Sequence, residues 1–431
     1  MSGLAQGRPA RVPGMRLTGI GLLALLCGLL QPYTVNLIGE IHAAELLLPL
    51  AGVAALLARG QAAFRERTFW LLMLALCTTL AGYVLSDLIR DTRPDQYLRG
   101  WGRIVVLALD CAAIVLLALQ DRRNLWWLAL GMGLGGIVQL RLLQHLPIGA
   151  WKFGYAEPML LVAATLGWFL PMRLAAAWLA ALALASMWFD FRSFAAICFL
   201  LASYVWLRSR RPAQPLAGNG RAFRLVVAAG IAAILILGTL HMTAGGHSSL
   251  RRAESNAGRS AAFEVGLVAI AQSPILGYGS WTEDRELAAM YLKRYLEIRG
   301  IRDPNADAGR HFAPHSQLLQ SWVEGGILGA TFFLVLGYQL LRAGRWIFLE
   351  RPVDSLTTLL VYFHFACAWN LVMSPFSAPH RMQIALGMAL VVLASAERRQ
   401  NRKPSRPAMA HRDGPARPLP APVGRRAGAV P

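Results

Sequence analysis

Lysine is almost missing from this chain. Of the 43 basic residues among 431, only Lys152, Lys293 and Lys403 are lysine. A GC-rich genome produces that bias, and so does a need for forked anion contacts, because a guanidinium makes two parallel hydrogen bonds where an ammonium makes one. Charge of either sign is also scarce. Charged residues make up 15% and hydrophobic ones 56%, whereas a soluble domain carries roughly a quarter charged residues. Most of the chain is therefore not solvated. The formal charge of +20 would suit a nucleic-acid binder, but the basic residues fall between apolar runs and at the ends instead of forming one face. No nucleic-acid partner is expected. Cysteine is sparse: Cys27, Cys77, Cys111, Cys198 and Cys367 all lie inside apolar runs and read as small core hydrophobes, without disulfide or metal roles. There is no GxxxxGKS/T, HExxH or CxxC, and no D-x-D pair beside a candidate site. Asp91 and Asp95 of "DTRPDQ" are interleaved with arginine. These absences argue against a P-loop enzyme and against carboxylate-held divalent cations, so neither a metal nor a cofactor is expected. The first apolar run follows Arg8, Arg11 and Arg16 without a clean A-x-A-like site, which predicts no cleaved signal.

What is present is a succession of apolar runs. A spanning helix needs about 20 apolar residues. Twelve candidates occur near 17–35, 42–58, 68–88, 101–119, 124–140, 157–171, 173–189, 193–208, 223–244, 317–341, 353–374 and 380–396. The fold class is thus an all-α polytopic membrane protein of about twelve transmembrane helices. Arginine bias sets the orientation. With the N-terminus inside, the inner segments hold Arg59/Arg65/Arg67, Arg122/Arg123, Arg173, Arg208/Arg210/Arg211/Arg221/Arg224 and Arg342/Arg345/Arg351. The short outer loops hold fewer. Three parts follow: a cytoplasmic tail at 1–16, a membrane domain at 17–400, and a basic, Pro/Arg/Ala-rich tail at 401–431 that is expected to be disordered. One loop, about 245–314, is far longer than the rest and falls outside. Within it "ELAAMYLKRYLEIRG" spaces Leu287, Met290, Tyr291, Tyr295 and Ile298 as an amphipathic helix, expected to lie over the membrane domain. Ordered loops of this length are usually functional.

That loop ends at an odd junction, "RHFAPHSQLLQSWVEGGILG" from Arg310 to Gly329, where a polar, histidine-bearing stretch turns directly into an apolar helix. His315 sits near the start of that helix. The free N–H groups and partial positive charge of a helix start disfavour imidazolium. A neutral histidine at a water–lipid boundary is a reasonable general base, although an interfacial histidine that only caps or packs fits the spacing equally well. Glu324, nine residues on, points to the opposite side of the helix, while Gly325 and Gly329 form a small-xxx-small pair for close helix packing. Several arginines gather on the same outer side at membrane depth: Arg192 in "FDFRSFAAICF", Arg259 in the long loop, Arg310, and Arg381 beside His380 at the last helix. They outnumber convenient acids such as Asp190, Asp303 and Asp307, and a pyrophosphate would suit them. Asp110, the one mid-span acid, would serve proton coupling in a transporter or bond a neighbouring helix. A transporter would instead put ionisable residues near the midplane, often with internal repeats, and no repeat is visible.

At these residues the chain resembles the O-antigen ligase and O-antigen polymerase superfamily of bacterial envelope proteins, and is most similar to the lipid A–core ligase. The resemblance runs from a helix-mouth arginine, here Arg192, to the segment "GRSAAFEVGLVAIAQSPILGYG", with Arg259, Pro274, Gly277 and Gly279. It ends in "HSQLLQSWVEGGILG", with His315, Ser316, Leu319, Glu324, Gly326 and Gly329. It covers roughly 190–340 by motif and the rest by topology. One departure is Phe191, where the family carries serine, with Ser193 following. The resemblance implies a glycosyltransferase without cofactor. It would move O-antigen from an undecaprenyl-pyrophosphate carrier to a lipid A–core sugar at the periplasmic face of the inner membrane, surrounded by membrane lipid. His315 would be the base, and Arg192, Arg259, Arg310 and Arg381 would hold the pyrophosphate. Pro274, Gly277, Gly279, Ser316, Glu324, Gly326 and Gly329 would shape the site. Polymerisation of carrier-linked repeats and protein O-glycosylation are the alternatives within the superfamily.

Overall fold

Apolar runs become helices throughout the described residues. The computed structural model describes residues 16–37, 39–58, 64–209, 247–301, 309 and 311–402. Thr18 opens α1 (Gly19–Leu30), its hydroxyl accepting from Gly21 N at 3.0 Å. A small antiparallel hairpin follows, β1 (Thr34–Asn36) against β2 (Glu40–His42), with Thr34 opposite His42. Then come α2 (Ala43–Ala58), α3 (Arg67–Arg90) and α4 (Pro94–Gln120). Proline suits the first helical position because that N–H lacks an intrahelical partner anyway. Next are α5 (Arg123–Val138), α6 (Ala156–Leu166), α7 (Met172–Trp188) and α8 (Arg192–Ser209). The last five are α9 (His247–Gln272), α10 (Arg285–Arg299), α11 (Gln317–Arg345), α12 (Thr357–Met373) and α13 (Ala378–Arg402).

Eleven of the twelve expected apolar runs coincide with helices; the other, 223–244, lies outside the described residues, as do Arg310 and the tail beyond 402. Among the described residues four helices are long and apolar enough to cross a membrane: α3, α4, α5 with its extension to Leu143, and α11 with its extension to Glu350. Helices α1, α2, α6, α7 and α12 are apolar but shorter.

The distribution of polarity is reversed from that of a water-soluble bundle. Leu184, Trp188 and Leu341 face outward at 69%, 83% and 79% exposure, which suits a hydrocarbon surround. Charged pairs face inward: Arg381 with Glu45, Arg103 with Glu324, and Arg351 with Asp354. Asp110 is fully buried beside Glu45 and Arg381, among the helices of the bundle. Helix α3 runs against α11 so closely that a Cβ on Gly82 would sit 2.6 Å from Gly329 N and 2.9 Å from Gly325 O. Gly325 and Gly329 are thus the close-packing pair expected of them, and Gly82 is its partner.

The long segment between α8 and α11 is, where described, more helical than its motif pattern suggests. Helix α9 carries most of the motif that opens it. Helix α10 is amphipathic, as the spacing predicts. Asp284 caps it, accepting from Glu286 N at 2.9 Å and Leu287 N at 3.0 Å, and Gly300 ends it in the left-handed region at φ +64°. Its apolar face rests on α9, where Leu287 joins Ala262, Val265, Ala269, Phe312 and Val323 in a separate small core.

Candidate active site

The site is organised by a break in α11. Ser316 caps the helix: its hydroxyl accepts from Leu319 N at 3.3 Å and donates to Leu371 O at 3.0 Å. Two turns on, the helix is interrupted at Gly326, with φ +64° and ψ −162°. The segment Ser273–Gly279 fills the interruption. Tyr278 N donates to Val323 O at 2.8 Å and Gly279 N to Glu324 O at 2.9 Å, while Ile327 N donates to Pro274 O at 3.0 Å. Trp322 Nε1 also donates to Pro274 O, at 2.9 Å. Backbone groups freed by the break are therefore satisfied by the inserted segment. A Cβ on Gly326 would lie 1.8 Å from Ile275 O, so only glycine fits. The proline–glycine motif and the glutamate–glycine motif, some 50 residues apart, are two halves of one joint.

Side chains from α3 and α4 clamp the joint. Ser86 donates to Glu324 O at 2.9 Å and accepts from Gly279 N at 2.9 Å. Asp87 accepts from Ser280 N and Oγ at 2.6 and 2.7 Å, and from Trp101 Nε1 at 2.7 Å. Arg90 Nε donates to Gly277 O at 3.0 Å. Glu324 is fully buried and ion-paired with Arg103, and it also accepts from Tyr83 at 2.8 Å and Gln320 at 2.8 Å. Arg103 continues to Phe376 O at 2.9 Å. Sequence reading did not assign Tyr83, Asp87 or Arg103 to the site. The signal was there, since an acid and an arginine lie within or beside apolar runs, where charge is costly and usually has a purpose.

A cavity of about 1060 Å³ reaches His315, just ahead of the broken helix. His315, Arg259, Glu254 and Tyr291 lie on its wall, as do Phe191 and Ser193. The imidazole of His315 is held below its ordinary pKa, first by desolvation against the cavity wall and second by the Arg259 charge. Both effects favour the neutral ring near neutral pH.

The other expected arginines are placed differently. Arg192 stands at the mouth of α8 and bonds Asp190 at 3.3 Å; one guanidinium nitrogen, Nη2, is buried without a partner. Its neighbours on both sides line the cavity, and it flanks rather than lines it. Arg381, expected in the phosphate clamp, has its donors engaged within the protein. It is buried, and its fork closes on Glu45 at 2.7 and 2.6 Å with a further bond to Glu40 O at 2.8 Å. Its charge is neutralised and its donors are occupied by a carboxylate two helices from the N-terminus, a pairing no local spacing reveals. Its neighbour His380 lines the cavity instead. Among the described residues no group of three or more His, Cys, Asp or Glu side chains is arranged to hold a metal ion.

Residues 173–334 match the family model described as O-Antigen ligase. No curated protein sequence matches the chain.

Proposed function

We propose, from the match of residues 173–334 to the O-antigen ligase family model, that the chain is a member of the O-antigen ligase superfamily and transfers O-antigen from undecaprenyl pyrophosphate to a sugar hydroxyl of lipid A–core. The reaction takes place at the periplasmic face of the bacterial inner membrane, in a fold of about twelve spans with both ends inside. The observation that carries this reading is the placement of His315 and Arg259 on the wall of one cavity, with the imidazole pKa lowered there.

The acceptor hydroxyl oxygen attacks the anomeric carbon while a ring nitrogen of His315 takes the hydroxyl proton. The bond from that carbon to the pyrophosphate oxygen breaks, its electron pair leaves with the carrier, and displacement from the opposite face inverts the centre. Pyrophosphate is already a good leaving group, so guanidinium charge suffices to stabilise what develops on it. Arg259 is the principal clamp residue, Arg192 contributes its unpaired nitrogen from the flank, and Arg310 is a further candidate by sequence. Pro274, Gly277, Gly279, Glu324, Gly326 and Gly329 build the broken helix that presents His315, and Ser316 caps it.

The test combines purified protein with carrier-linked glycan in the presence of chelator, offering lipid A–core, no second acceptor, or a serine-containing peptide. The expected product is glycan on lipid A–core. Chain growth on the carrier alone, or glycan on the peptide, would reassign the protein within its superfamily. Activity that is lost in chelator and restored by magnesium or manganese would overturn the metal-free mechanism.

A further inference from the structure

The same cavity has a second polar wall that the transfer chemistry does not use. Glu157 on α6 accepts from Tyr362 on α12 at 2.8 Å and from the amide of Gln383 on α13. Both bonds fall on Oε1. Gln383 in turn accepts from Asn370, which accepts from Ser374 at 2.8 Å. Three helices thereby hold a carboxylate and two carboxamides in fixed planes, all lining the cavity with the indole of Trp369. His42, from the hairpin, lines it too. It is 5% exposed, and neither of its ring nitrogens has a hydrogen-bond partner.

Buried polar atoms without partners are costly, so the chemistry that satisfies them identifies a ligand. A neutral imidazole presents one donor and one acceptor. A hydroxyl answers both. A phosphate or carboxylate answers only the donor, and an alkyl chain answers neither. A fixed carboxylate and carboxamides beside an aromatic face suit a pyranose, whose edge is rich in hydroxyls and whose face is C–H. We propose that this wall is a sugar subsite, binding the hydroxyls of a pyranose ring of the substrate glycan while Arg259 holds the phosphate. The inference rests on the transfer reading above, because one cavity serves both ends.

The experiment measures binding of three probes to purified protein in detergent: undecaprenyl pyrophosphate, the same carrier with its glycan, and lipid A–core. The variants are His42→Phe, Gln383→Leu and Arg259→Ala, each checked by thermal melting. His42→Phe is expected to bind one of the glycan-bearing probes about tenfold more weakly, the scale of a lost hydrogen bond, and to bind the bare carrier as wild type does. Its melting temperature should hold or rise, because two unpaired buried nitrogens are removed; a merely structural role would not combine a stable fold with weaker sugar binding. Gln383→Leu should act in the same direction. Weakening confined to the carrier-linked glycan makes the subsite one for the donor sugar; weakening confined to lipid A–core makes it one for the acceptor. If His42→Phe and Gln383→Leu bind both glycan-bearing probes as tightly as wild type, or lose the bare carrier equally, the subsite is overturned. Failure of the transfer reading has a different signature: Arg259→Ala would then bind bare carrier unchanged.

Discussion

On the proposed mechanism, His315 ties protonation to transfer. Its folded pKa lies below the ordinary histidine value, so transfer should be complete at neutral pH and fall only as the pH drops through that lowered value. Replacing Arg259 with glutamine removes the second cause of the depression and leaves the first. The acid limb of the rate profile should therefore move upward, toward the ordinary histidine range, without reaching it. A limb that stays in place would show that Arg259 does not act on this imidazole. Arg259 also has a test of its own. Arg259→Ala should weaken carrier binding, and Arg259→Lys should restore it only in part, since an ammonium cannot make a forked contact. Full recovery with lysine would reduce the clamp to charge alone.

The broken α11 is where distant motifs become one object. Its stability depends on a buried ion pair, Arg103 with Glu324. Removing one partner from such a pair strands the other charge and typically costs about 3–5 kcal/mol, whereas replacing both can be neutral. Glu324→Gln should therefore lower the melting temperature in detergent markedly, and a double variant that adds Arg103→Met should regain most of it. If the double variant is no more stable than the single one, the pair does not hold the joint. Gly326→Ala tests the same joint through backbone geometry. A left-handed φ and a carbonyl oxygen 1.8 Å from the new Cβ predict a loss of at least about 1–3 kcal/mol, read as a lower melting temperature with transfer reduced in parallel. This joint was half legible in the sequence. The strings "SPILGYG" and "VEGG" entered through the family resemblance, which marked Pro274, Gly277, Gly279, Ser316, Glu324 and Gly326 as site-shaping, and Gly325 with Gly329 read as a close-packing pair. The mutual docking of the two strings was not legible, because pairing across some 50 residues leaves no local periodicity. The same limit hid the Glu45 partner of Arg381.

For the whole molecule, the apolar runs were informative because lipid imposes a simple rule: backbone must be helical and outward side chains apolar. Helix positions were accordingly readable to within a few residues along most of the chain. The cavity was not. Its walls come from eight or more separated segments, and residues such as Glu157 and Gln383 look locally like ordinary polar interruptions. Topology has a direct check. A single cysteine at position 285 in a cysteine-free background should react with an impermeant thiol reagent from the periplasmic side with the inner membrane intact. Labelling only after that membrane is broken would invert the orientation. The central claim is that His315 performs the chemistry at this boundary, and the initial rate of glycan transfer in proteoliposomes tests it most directly. Wild type and His315→Ala would be compared in chelator with carrier-linked glycan and lipid A–core. The account predicts steady transfer by wild type and a loss of roughly 100- to 10,000-fold in the variant, with folding and carrier binding retained. A well-folded His315→Ala protein transferring at near wild-type rate would contradict it.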